Sequence, residues 1–187
     1  MNDDFIKAKE LLNLASTKEC NADELINALR LVKEEDENFY MQTLKSLSVN
    51  NLANVAVLMP DFMLNDMLSC FSASAVARAV EELESDDATD LIQNLENIDE
   101  KKAELILNSV EQEHKKDISL LKSYAQNSAG AYMQTEYLQA FLEESLNSAV
   151  QRYKKLKNEG EIEQVQQFFV TDEKNVLQYC LPFGEAL

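Results

Sequence analysis

The chain is short of several residue types, and each shortage excludes something. In 187 residues it has one histidine, three cysteines, three glycines and two prolines, and its 17 Lys and Arg are outnumbered by 34 Asp and Glu. The net charge of −17 repels phosphate backbones and anionic lipid surfaces, so nucleic acid and membrane-surface partners are disfavoured. No stretch supplies the roughly 20 apolar residues that a bilayer span requires. The opening MNDDFIKAKELL also lacks the basic-then-apolar layout of a secretion signal. These absences describe a soluble, cytosolic segment with no direct membrane insertion. Cys20, Cys70 and Cys180 are far apart, odd in number and outside any metal-ligand spacing, which suits free thiols in a reducing compartment. The lone His114 sits among charges in EQEHKKD, as on a solvated helix face. With only that imidazole, no nucleophile, base and orienting group can be assembled, so the chain reads as non-catalytic.

What is present is mostly helical pattern. From Met1 to about Ala125, apolar residues recur at three and four residue spacing, and breaks fall at Ser, Asp, Asn or Pro60. Asn21 followed by Glu24 fits a capping box, and Ser72 and Ser85 each precede a run of helix formers. Nine short helices are expected, over 3–16, 22–34, 36–47, 51–58, 62–70, 73–83, 86–96, 99–109 and 112–124. In the middle of this region an apolar pair, a polar break and a fresh helix start recur about every 12 to 13 residues. A helix that short cannot bury its apolar stripe alone, so neighbours must stack, giving a right-handed or irregular superhelix with polar breaks along its edges. Met59, Met63 and Met67 fall at helical spacing and read as core filling.

After Ala125 the texture changes. Asn127-Ser128-Ala129-Gly130 reads as a flexible junction and Thr135-Glu136-Tyr137-Leu138 as a short extended segment. Glu144 to Lys157 is an amphipathic helix with Leu146, Ala149, Val150, Tyr153 and Leu156 on one side. Val165 to Thr171 and Val176 to Leu181 read as two strands of a hairpin turned by Asp172-Glu173-Lys174-Asn175. The fold class is therefore mainly α: a superhelix over 1–125, then a small, incomplete α/β module over 126–187. A half-finished module leaves strand edges uncovered, so dimerisation through it, or disorder at the C-terminus, is expected.

The acidic residues have two readings. Asp86 and Asp90 are four apart on one expected helix, so they share a face, with Asp87 beside them. Two carboxylates roughly 5 Å apart repel by about 1–3 kcal/mol at effective dielectrics of 20 to 80, and a divalent ion between them reverses the sign. Magnesium takes oxygen ligands and keeps several waters, so one or two carboxylates suffice to hold it. Equally, acidic residues in a first helical turn are favoured by the helix dipole, and an acidic surface serves solubility.

Two blocks resemble a known family. Val80-Glu81-Glu82-Leu83-Glu84-Ser85-Asp86-Asp87-Ala88-Thr89-Asp90-Leu91-Ile92 is similar to the Leu-x-x-Asp-Asp-x-x-Asp-Leu-Leu segment that ends the N-terminal helical domain of MgtE-type magnesium transporters. Ser128-Ala129-Gly130-Ala131-Tyr132-Met133-Gln134-Thr135-Glu136-Tyr137 resembles the Ala-Gly-Gly-x-Met-x-x-Glu-Tyr start of that family's first CBS motif. Their order and separation also agree. Ala131 departs from the family's second glycine, and the first fifty residues match only in helical texture.

The resemblance implies a cytosolic magnesium-sensing regulatory segment on the cytoplasmic face of the membrane. In that family, magnesium bridges the helical domain and acidic CBS surfaces and closes the channel when the ion is abundant. Carried over, the metal candidates are Asp86, Asp90 and Asp87, while Asn54 stands where an earlier helix would offer a carboxylate. The implied partners are a second CBS motif, the transmembrane domain and a second copy through the CBS region. The second motif, a connecting helix and five spans are not in this sequence, which is then either part of a transporter or a relative without a pore. With most partner carboxylates elsewhere, magnesium binding by these residues alone is expected to be weak. CBS pairs often bind adenosine phosphates; Tyr132, Tyr137 and Phe141 could stack a base, but no glycine-rich phosphate cradle accompanies them. A different reading is a metal-free protein-interaction module, since these helical domains are similar in architecture to the middle segments of flagellar switch proteins.

Overall fold

The computed structural model describes residues 3–125, 127–135, 137–159, 167–182 and 184. The chain packs as two units, Met1–Met133 and Gln134–Leu187. In the first unit the helices are α1 (Asp3–Leu14), α2 (Ala22–Glu35), α3 (Glu37–Ser46), α4 (Val49–Ala56), α5 (Asp61–Cys70), α6 (Ala73–Glu81), α7 (Ser85–Ser109) and α8 (Gln112–Lys122). Short polar side chains start four of them. Asn21, Asp36, Ser48 and Ser72 accept the N–H of Glu24, Phe39, Asn51 and Ala75 at 3.0, 3.0, 3.3 and 3.3 Å, each satisfying a donor left over at a helix N-terminus. Ser85 does not act this way. The cap position of α7 is Glu84, with no side-chain cap bond, and Ser85 is the buried first residue of the helix. The two helices expected over 86–96 and 99–109 run on as one element, broken at Asp99, whose backbone is non-helical (φ −149°, ψ 89°). Asp99 Oδ1 accepts the Lys102 N–H at 3.1 Å and so restarts the helix after the kink.

Each helix packs on others one or two along the chain: α1 on α2, α2 on α3 and α4, α3 on α5, α4 on α6, α5 and α6 on α7, and α7 on α8. Such short-range stacking is how a superhelix buries stripes that no single helix can cover. One continuous core results, with Leu29, Tyr40, Leu44, Met63, Met67, Ile92 and Leu95 fully buried. Each such side chain contributes about 1.5–3 kcal/mol relative to exposure. Met59, Met63 and Met67 all lie in that core.

Polar ties register the stack. Asn51 is fully buried and fully used: its Nδ2 donates to the carbonyls of Ala15 and Lys18 at 2.7 and 2.8 Å, and its Oδ1 accepts the Cys20 N–H at 3.0 Å. It thereby fixes the turn between α1 and α2 onto α4. Two lysines make similar latches. Lys9 Nζ lies over the rings of Phe5 and Phe39 and pairs with Asp36 at 3.0 Å. Lys33 Nζ lies over Tyr40 and Phe62 and pairs with Asp66 at 2.6 Å. Tyr40 donates its hydroxyl to Asp66 at 3.1 Å. Burial and then the Asp66 charge push that hydroxyl well above the usual tyrosine range, so it stays a neutral donor.

The segment read as a flexible junction is ordered into the first unit. Ala129–Tyr132 forms a 3-10 turn that packs on α8, and a Cβ placed on Gly130 would meet the Tyr124 ring at 2.6 Å. Close approach requires glycine here. This packing extends the first unit past the junction expected after Ala125.

The second unit consists of β1 (Leu138–Phe141), α9 (Leu146–Glu159), β2 (Gln167–Thr171) and β3 (Leu177–Pro182), in sheet order β1-β2-β3. β1 pairs parallel with β2, Leu138 opposite Phe168, and β2 pairs antiparallel with β3, Phe168 opposite Leu181. The hairpin is as expected, with an irregularity between Val170 and Thr171. The parallel partner β1, which makes the unit β-α-β, was not anticipated as part of the sheet. The extended residue Glu136 and the strand start at Val165 lie outside the described residues. Leu138, Ala140, Ala149, Val150, Tyr153 and Phe168 form a small core, with Leu156 packed against it. Leu146, expected on the same face, is largely exposed.

Candidate functional site

The first turn of α7 carries the sequence-nominated carboxylates. Ala88, Leu91, Ile92 and Leu95 turn one face of the helix into the core, and Thr89 buries its hydroxyl by donating to the Ser85 carbonyl at 2.6 Å. This leaves Asp86 half-buried and Asp87 and Asp90 exposed on the other side. Asp86 Oδ1 accepts the Asp87 N–H at 3.0 Å. Partial desolvation, then the charges of Asp86 and Asp90, raise the Asp87 carboxyl above its usual range. Desolvation and then Asp86 do the same to Asp90. The three groups therefore form one electrostatically coupled patch, in which negative charge is disfavoured by negative charge.

The donor chemistry fits a hard, hydrated dication, which one or two carboxylates hold while waters complete its shell. It does not form a closed cage: among the described residues, no group of three or more His, Cys, Asp and Glu side chains is placed to hold a metal ion. Asn54 is half-buried on α4.

Other sequence candidates are dispersed. His114 is half-buried on α8, and Cys20, Cys70 and Cys180 are free thiols. Tyr132 is in the 3-10 turn of the first unit and 76% exposed, whereas Tyr137 and Phe141 belong to the second unit. Tyr137 meets Phe169 edge-on, with centroids 6.1 Å apart.

Two features of the second unit escaped sequence reasoning. Arg152 grips both oxygens of Glu144 at 2.8 and 2.7 Å and donates to the Gln139 carbonyl at 2.6 Å, while Glu144 accepts the Phe141 N–H at 3.1 Å. Partial burial pushes the Glu144 carboxyl up, but the bonds from Arg152 and Phe141 and the guanidinium charge outweigh it and hold the group below the usual range. Glu144 thus sits in the turn before α9, not within the helix. The second feature is a cavity of about 480 Å³ beyond the carboxyl ends of β1 and β2, lined by Phe141, Leu142, Thr171, Asp172 and Lys174. Asp172 is already engaged, accepting the N–H groups of Lys174 and Val176 at 2.8 and 3.0 Å. The four-residue apolar alternation of β1 was the only available signal for either feature.

No helix among the described residues is long and apolar enough to cross a membrane. Residues 21–127 match the model of the family described as the MgtE intracellular N domain. Among solved structures, the chain is similar to the cytosolic domain of the Mg2+ channel MgtE in complex with ATP, with TM-score 0.79 and 18% identity over 95% of this chain and 68% of that one. It is also similar to the soluble part of a magnesium transporter, with TM-score 0.73 and 22% identity over 98% and 72% of the two chains. Comparison with curated protein sequences gives no significant match.

Proposed function

Because this chain belongs to the MgtE intracellular N domain family, we propose that it is the cytosolic, non-catalytic regulatory segment of a magnesium transporter, with 1–125 as the helical domain and 126–187 as part of a CBS region. The observation that carries this reading is the coupled patch of Asp86, Asp87 and Asp90. A bound magnesium ion would supply positive charge between facing acidic surfaces. Asp86 and Asp90 would offer the inner oxygens from one helix face, with Asp87 contributing field. Without the ion, their mutual repulsion holds the helical domain off its acidic partner surface; with it, the compact arrangement is favoured, a population shift that closes the pore.

The partners of this segment are then a second CBS motif, the transmembrane domain and, through the CBS region, a second copy. The exposed Val176, Leu177 and Tyr179 on and before β3 support this, because an uncovered apolar strand at a sheet edge calls for a covering element. The segment alone holds magnesium weakly, since it brings only one side of the site.

The test is transport by the intact transporter carrying Asp86→Asn with Asp90→Asn. Shutdown at high magnesium should shift to clearly higher concentration, and an unchanged shutdown curve would overturn the assignment of these residues. X-ray scattering of the intact protein should show compaction in millimolar magnesium; an unchanged profile is what metal-free docking would give.

A further inference from the structure

We draw no further inference here: the strongest candidate, the groove between α2 and the start of α5 lined by Arg30, Lys33, Glu34, Pro60 and Phe62, carries nothing because its two cations are offset by Glu34 and by the Lys33 partner Asp66, and nothing in the structure shows what covers it.

Discussion

The helical unit and the sheet unit solve the same problem with unequal means. The first spreads one core through eight helices, so each helix is covered by neighbours close in sequence. The second has a described core of six residues under a single helix and leans on one bidentate ion pair to close the link from β1 to α9. Stability in the first is therefore distributed apolar burial, whereas in the second it is concentrated in a few polar bonds, and the two should fail differently.

The largest effect is expected inside the helical core. Leu29→Ala should cost about 2–5 kcal/mol, because the transfer loss and the cavity add at a fully buried site. Urea denaturation followed by far-UV circular dichroism measures it, and a loss under 1 kcal/mol would mean the stack is not cooperative. Asn51→Leu comes next, at about 2–3 kcal/mol, since it strands the carbonyls of Ala15 and Lys18 and the Cys20 N–H without partners.

Arg152→Ala should cost about 1–2 kcal/mol, and the cost should be local. Hydrogen exchange should accelerate in β1 and α9 while α2 to α7 keep their protection; a uniform acceleration would erase the contrast between the units.

The smallest effect is a pair of opposite pH responses. Asp87 and Asp90 have folded-state pKa values raised above the unfolded ones, so their contribution is most favourable in acid and is lost as pH rises through the raised values. At neutral pH they impose a standing penalty, and Asp87→Asn or Asp90→Asn should stabilise by a few tenths of a kcal/mol, about the scale of exposed charges. That gain should vanish near pH 3. Glu144 runs the other way: its folded pKa is lowered, so its contribution is present above the ordinary carboxylate range and is lost as pH falls through the folded value. Residue-resolved titration by NMR separates the two, and a lowered value at Asp90 would contradict the coupling described for α7.

Legibility in the sequence followed the range of the forces involved. Helix starts at Asn21 and Ser72 were readable because a cap bonds only three residues ahead. The break near Asp99 was readable for the same reason. Ser85 misled, since a serine before a helical run looks alike whether it caps or is buried; the outcome was decided by packing from other helices. The shared face of Asp86 and Asp90 follows from helical spacing alone, while the shifts at Asp87 and Asp90 needed their local burial. Asn51, Lys33 and Arg152 were invisible because their partners lie 8 to 36 residues away. The parallel pairing of β1 with β2 was missed on the same ground, as it joins Leu138 to Phe168 across a whole helix.

The break at Asp99 lets one residue end a helix and begin the next without a loop. No slack exists there to absorb a change in length. One inserted residue would rotate everything downstream by about 100° relative to Asp86 and Asp90. Ala103 and Ile106 would swing out of the core, and the Lys102 ammonium would leave the Leu68 carbonyl it now meets at 3.2 Å. Substitutions at this joint change its strength, whereas insertions change its phase, so sequences that keep this fold should vary in composition here far more readily than in length.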